Sequence, residues 1–517
     1  MSASGTALPL TGGHAARGDV TADVAATARG GWWGFLGALA GAVFAYAFVA
    51  LVTRALGAHG AGAVFTGVAV FTILSNVCKL GADTGLVRFV SRDVATGGGR
   101  QARGLLRTAL VPGAVTSTAA AALLLLSPSV DTSLLPSLAP HDAVTLVRLY
   151  AVFLPVATIS FILLAASQGY GTVRPFIEVE QIGKPVLRVL LAVTVLFATP
   201  SVLSLAAAWL LPSLAGLFAA WRALRRCRAR HRCPPEDEVA VVARHFWAFA
   251  APRAVSSVFD ISAVWVGVIL LSALATTEEA GIYAAITRVI VAGLLLQLAI
   301  RRAVSPRISR LLALGEVRQA RDLHRISTRW IALFSWPMYV VLASFPGTVL
   351  SLFGPDFVRG AGALVVLCVA SAINIGVGNA QTVLLMAGKS SWHLAVTGAA
   401  FAVQVIVGVL AVPPLGVLGA ALSWGAAIVV ENLVAAALVR RNPGFTTIDR
   451  GYLAATGAGL CLTASLALPA RLLAGDTPLG LTVGIVLAAC LLGASVWRFR
   501  APLGVLELVG VLRRRAP

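Results

Sequence analysis

Charged side chains stand inside apolar stretches of this sequence, and any chemistry has to be sought there. Arg253, Ser256, Ser257 and Asp260 recur at i, i+3, i+4 and i+7, so a helix would present them on one face. Arg288 lies seven positions past Gly281, the start of the next apolar run, and Glu431 with Asn432 sits in a later one. An ionised group at the centre of a lipid-immersed helix costs ~2.5–3.5 kcal/mol on insertion scales, so each needs a partner or a wet cavity. Arg288 and Arg253 have the charge to hold an anionic head group. Asp260 and Glu431 have the chemistry to take up a proton or a cation. An internal ion pair of Asp260 with Arg253 or Arg288 fits the pattern equally well, and Glu431 can pair with a basic neighbour.

Other polar stripes carry weaker signals. Thr72, Asn76, Lys79 and Asp83 stand at i, i+4, i+7 and i+11. Either Lys79 snorkels to an interface and pairs with Asp83, or the face lines an aqueous cavity. Arg88 closes the same stretch as a further cation. Ser371, Asn374, Gly378 and Gln381 share a face that serves as polar glue between helices or as cavity lining. Glu178, Glu180, Lys184 and Arg188 open another apolar run and read as a solvated, snorkelling turn. Cys227, His231 and Cys233 offer three ligands where a structural zinc site takes four, so no metal is assigned, and no cofactor motif is read.

The elements that position these residues follow from composition. The 517 residues are 58% hydrophobic and 12% charged, with a mean hydropathy of +0.88. No soluble domain could bury that much apolar surface, so the fold class is an all-α polytopic membrane protein. Fourteen apolar stretches are predicted as transmembrane helices, near 33–53, 62–81, 105–127, 147–168, 183–199, 201–221, 246–273, 281–300, 330–352, 361–387, 394–412, 415–438, 452–473 and 478–497.

The net charge of +20 is topological and does not point to nucleic acid. Arginine gathers in every second loop, as in Arg88–Arg107, Arg222–Arg232 and Arg301–Arg325, and in the tail at Arg513–Arg515. The alternate loops hold little beyond Arg54, Arg148, Arg359 and Arg471, with Asp131, Glu278, Glu279 and Asp356. By the positive-inside rule the chain is a multi-pass protein of the cytoplasmic membrane with both termini cytoplasmic. The basic loops also suit anionic membrane lipid.

The chain repeats itself. Arg100-Gln101-Ala102-Arg103, Leu105 and Arg107 return as Arg318-Gln319-Ala320-Arg321, Leu323 and Arg325, all at one offset of 218 residues. This predicts two pseudo-repeated six-helix halves plus two C-terminal helices. The domains would be a disordered cytoplasmic tail (1–31), the first half (32–222), a basic cytoplasmic linker (223–244), the second half (245–441), and two extra helices with a basic tail (442–517).

Two segments carry a family resemblance. Gly81-Ala82-Asp83-Thr84-Gly85-Leu86-Val87-Arg88 with its basic connector resembles the end of the second helix in the polysaccharide-export, O-antigen flippase-like branch of the multidrug/oligosaccharidyl-lipid/polysaccharide (MOP) flippase superfamily. Leu384-Leu385-Met386-Ala387-Gly388-Lys389, followed by Pro414-Leu415-Gly416-Val417-Leu418-Gly419-Ala420-Ala421, resembles a turn and helix start of that branch. The resemblance implies a flippase that turns a polyprenyl-diphosphate-linked oligosaccharide from the inner to the outer leaflet by alternating access. It further implies glycosyltransferases or a polymerase of the same pathway as partners. The alternative is a cation-coupled drug or metabolite antiporter of the same architecture, which would place carboxylates deep in both halves. A membrane enzyme would need a catalytic loop outside the membrane, and none of the outer loops is long or acidic enough.

Overall fold

The computed structural model describes residues 15–97, 101–126, 139–230, 239–294, 316–377, 380–386, 390–441 and 469–498, together with 297, 452, 457 and 467. All regular structure among them is helical.

α1 (Ala15–Cys78) is two arms joined at Gly57, whose φ of 66° suits a residue without a β-carbon. The arms fold back on each other. A β-carbon on Gly41, in the first arm, would lie 2.5 Å from the Gln181 carbonyl. Lys79, just past the second arm, lies over the Phe161 ring that Lys184 also covers. Gly41 of the first arm and the far end of the second arm therefore both sit close to residues 181–184. Residues 15–31 continue the first arm as helix instead of the disordered tail that composition suggested. Six alanines in that segment explain it, since alanine is the strongest helix former.

The chain then breaks at Lys79–Gly81, with Leu80 at φ 53° and Gly81 at φ 70°. The rest of the first half is α2 (Ala82–Gly97), α3 (Ala102–Leu126), α4 (Pro140–Gly169), a π-turn (Ile177–Gly183), α5 (Lys184–Phe197), α6 (Val202–Leu210) and α7 (Pro212–Arg230). The short gap between the fifth and sixth expected spans is a true break. Ser201 caps α6, its hydroxyl accepting from the Ser204 N–H while Ser204 accepts from the Ser201 N–H.

The second half holds α8 (Val239–Leu274), α9 (Thr277–Gly293), α10 (Val317–Ser344), α11 (Pro346–Ser351), α12 (Ala361–Val377), α13 (Ala380–Met386), α14 (Ser390–Leu415) and α15 (Val417–Arg441). α16 (Pro478–Arg498) follows. Helix now occupies most of the expected 223–244 linker, except 231–238, which lie outside the described residues.

Nine helices among the described residues are long and apolar enough to cross a membrane, and the first of these includes both arms of α1. The thirteenth expected span, 452–473, falls mainly outside the described residues. Large apolar side chains such as Leu126 (80% exposed) and Phe197 (88%) face outward, which suits lipid as the surrounding solvent. One helix boundary recurs near the spacing of the sequence repeat: the first arm of α1 runs up to the Gly57 break and α8 ends at Leu274.

The halves meet at two seams. At the end away from the arginine-rich connectors, Gly62 of α1 crosses α9. A β-carbon on Gly62 would stand 1.6 Å from the Thr277 carbonyl, and one on Gly281 2.2 Å from the Ala58 carbonyl. At the basic end, Gly81 sits against α8, where a β-carbon would be 2.3 Å from the Ala250 carbonyl, and Phe89 packs on Phe246 at 5.8 Å.

Asp476, just before α16, ties that helix to the second half. Its carboxylate accepts from the backbone N–H of Gly347 (2.8 Å) and Thr348 (2.9 Å) and from the Thr348 hydroxyl (2.6 Å), at the start of α11. Desolvation would raise the carboxyl, but the hydroxyl and backbone bonds, with Arg471 nearby, outweigh it and hold the group below the usual carboxylate range. Its contribution is therefore present above the ordinary carboxylate pKa and is lost as pH falls through the lowered folded value. Asp476→Ala should lower stability by ~1–3 kcal/mol, read as a drop in Tm at neutral pH. An unchanged Tm would show that α16 docks by packing alone.

Candidate functional site

The π-turn carries a carboxylate and α5 carries two cations on one face. Glu180, Lys184 and Arg188 follow at i, i+4 and i+8. An inserted π-turn is often a functional feature of a helix. Lys184 is 3% exposed and bonded to Glu180. A β-carbon on Gly216 of α7 would lie 2.3 Å from the Lys184 Cε, so that glycine leaves room for the lysine.

One turn further in, the Arg188 guanidinium lies 4.0 Å from the Trp209 ring centroid, and its Nε donates to the Trp209 carbonyl at 3.0 Å. Trp209 belongs to an aromatic wall with Phe71 (5.4 Å) and Tyr150 (6.2 Å). The Tyr150 hydroxyl donates to the Val64 carbonyl at 2.9 Å, which fixes that wall to α1.

The second half answers with the same device. Arg288 of α9 lies 4.2 Å over the Trp265 ring of α8. The two guanidinium groups, one from each half, are within electrostatic reach and repel each other. Among the described residues neither has a carboxylate at ion-pair distance. Glu180 does reach Arg188 electrostatically, but its bond is to Lys184. Nine residues separate Arg188 from Phe197 at the end of α5, and eleven separate Arg288 from Thr277 at the start of α9. That places them about 14 and 16 Å along their helices from the non-basic end, near the middle of a hydrocarbon core of about 30 Å.

The remaining expected site residues are spread more widely. Lys79 pairs with Asp83 at 3.0 Å, as one reading of the stripe had it, but at 7% exposure it is buried instead of snorkelling. Asn76 donates to the Thr72 carbonyl of its own helix. Arg88 is exposed and lies 4.3 Å over the Phe249 ring at the basic seam, away from the central pair. Arg253 is half-buried on α8, about 18 Å along the axis from Trp265, so it does not join Arg288. Asp260 is exposed on α8, and Glu431 is half-buried on α15. Asn374 accepts from Asn432 at 3.0 Å, an interhelical bond of the polar-glue kind. Gln381 is half-buried on α13, while Gly378, Asn379, His231 and Cys233 lie outside the described residues.

Sequence reasoning passed over Arg188 and Lys184, taking them for a solvated turn. Glu178 does belong to such a turn, paired with Arg174 at 2.6 Å on the exposed side. The missed signal was the shared face of Glu180, Lys184 and Arg188, which continues inward past the interface.

A family model described as polysaccharide biosynthesis protein matches residues 27–312. Several solved structures share the fold. The lipid II flippase MurJ in an inward closed conformation aligns with a TM-score of 0.70 and 13% identity, over 89% of this chain and 98% of that one. An inward-facing multidrug resistance MATE family transporter of the MOP superfamily aligns at 0.66 and 14%, over 78% and 94%. A MOP superfamily transporter from Pyrococcus furiosus, described with a binding pocket of reverse polarity, aligns at 0.55 and 14%, over 79% and 93%. No curated protein matches this chain.

Proposed function

We propose a polyprenyl-diphosphate-linked oligosaccharide as the cargo of this chain, which belongs to the polysaccharide biosynthesis protein family and is a multi-pass membrane transporter of the MOP superfamily. The observation that carries the reading is the central pair of Arg188 and Arg288. Two half-buried guanidiniums within electrostatic reach of each other, with no carboxylate at ion-pair distance among the described residues, form a site short of negative charge. A diphosphate supplies several anionic oxygens and can accept forked hydrogen bonds from both. Its sugar would lie in the space between the halves and its prenyl tail in lipid.

The basic end would be cytoplasmic, with both termini on that side. Cargo would be taken up there and released into the outer leaflet as the halves rock about the site. The two glycine seams are the surfaces that would part in turn. Asp260 and Glu431 remain the coupling candidates of the second half. Asp260→Asn should make transport insensitive to collapse of the proton gradient and slow it about tenfold. Wild-type rate and sensitivity in that variant would remove Asp260 from the scheme.

A second reading, cation-coupled export of a drug or metabolite, draws on Asp83 and Glu180. These place carboxylates in the first half as well as the second, as such an antiporter requires. Both are already neutralised by lysines, so the surplus charge at the centre is positive. A deletion strain separates the two. Inner-leaflet accumulation of polyprenyl-linked glycan, cleared by the wild-type chain, supports the flippase. An unchanged glycan pool with new sensitivity to cationic drugs supports the antiporter instead.

A further inference from the structure

We propose that Lys184 is a third cation of the cargo site, held in reserve by Glu180 until the cargo's diphosphate takes it over. The inference rests on the diphosphate reading above and deepens it. Lys184 stands one helical turn from Arg188 on the same face of α5, about 5–6 Å along the axis. It is close enough to Arg188 to feel its charge. Its ammonium lies 5.2 Å over the Phe161 ring, and the Lys79 ammonium lies 4.9 Å over that same ring. Lys79, Asp83 and Arg188, which lie around the pair, are thus basic or already bonded. Lys79 holds Asp83, and Arg188 lies on Trp209.

A buried ion pair gains little net free energy, because desolvation offsets most of the attraction. A multiply charged diphosphate attracts Lys184 more strongly than one carboxylate does, and the exchange proceeds only when that gain outweighs the loss of the cation that Glu180 holds. The exchange also explains why the lysine is paired at all. An unpaired Lys184 would stand one turn from Arg188 as a second, repelling cation on the same face of α5. Gly216 makes room for the lysine side chain where it stands, since any β-carbon there would meet its Cε. The pairing works as a threshold. A ligand has to offer more negative charge than Glu180 does before Lys184 changes partner.

The test is binding to the full-length protein in lipid nanodiscs, with inorganic pyrophosphate and farnesyl diphosphate as the head-group probes and phosphatidylglycerol vesicles as the bulk-lipid control. Glu180→Gln should tighten binding of both diphosphates about tenfold, because Lys184 no longer has to leave a carboxylate. Lys184→Met should weaken it about tenfold, and the double variant should match Lys184→Met. The exchanged pair, Glu180→Lys with Lys184→Glu, keeps the ion pair and so guards against misfolding. It moves the ammonium a further turn away from Arg188 and should bind as weakly as Lys184→Met. Equal affinity of Glu180→Gln, the exchanged pair and wild type would overturn the reserve role. Tighter binding of phosphatidylglycerol than of either diphosphate would overturn it as well. Arg288→Ala reports on the reading beneath. If Arg288→Ala weakens binding while the Glu180 and Lys184 variants do not, only the reserve role falls. If Arg288→Ala leaves binding unchanged, the diphosphate site itself is wrong.

Discussion

Arg288→Ala should reduce translocation of lipid-linked glycan about a hundredfold while its level in the membrane stays that of wild type. Losing a charge-assisted forked contact to a buried anion removes ~2–3 kcal/mol, and each 1.4 kcal/mol is a factor of ten. Stability should move the other way. Among the described residues Arg288 has no carboxylate at ion-pair distance, and Arg188 repels it, so its removal relieves the resting protein. A raised or unchanged Tm with lost transport is the combination that only a ligand-binding role produces. Arg288→Lys keeps the charge but loses the planar fork and much of the stacking on Trp265, and should sit near a tenfold loss. Translocation at the wild-type rate in Arg288→Ala would remove the central pair from the cargo path.

Gly62→Ala should be the most damaging small substitution in the chain. The added carbon would stand 1.6 Å from the Thr277 carbonyl, and that atom is backbone, so no side-chain rotation relieves the clash. α1 and α9 have to separate at the non-basic end. Overpacking of this kind costs ~1–3 kcal/mol, charged only to states in which that seam is closed. Transport should fall more than tenfold, with the protein held open toward the outer side. A cysteine at Thr66, one turn below and 1% exposed, should become reactive to an impermeant maleimide added from outside. Gly362→Ala is the matched control, because a β-carbon there meets nothing within 4 Å. If Thr66→Cys stays unreactive in the Gly62→Ala background, the glycine crossing is packing and not a gate.

The helices were legible because hydropathy is local. Each apolar run becomes a helix wherever it is described, and the repeat spacing nearly reappears between the Gly57 break and the end of α8. Arg288 was legible because a charge deep in an apolar run has few explanations. Arg188 and Lys184 were not, since a charge near the end of a run looks the same whether it snorkels outward or turns inward. The π-turn ahead of α5 and the Phe161 ring decide that here, and neither has a sequence period. Lys79 shows the converse. Its spacing to Asp83 announced the pair, but not that the break at Leu80 and Gly81 would bury it. Arg88 was drawn toward the cargo by its charge and is held away from it by Phe249, a residue of the other half.

The two central arginines are mounted on indole rings and not left on free stems. A cation held over a tryptophan ring cannot follow a ligand that is too short to reach it. The surrounding bilayer presents phospholipids with one phosphate in vast excess over any cargo. Such a lipid satisfies one arginine at a time and leaves the other facing like charge. On the proposed reading, a head group with two linked phosphates would bridge both. The spacing of two rigid perches would thus let a rare lipid be picked from an ocean of common ones without reading a single sugar.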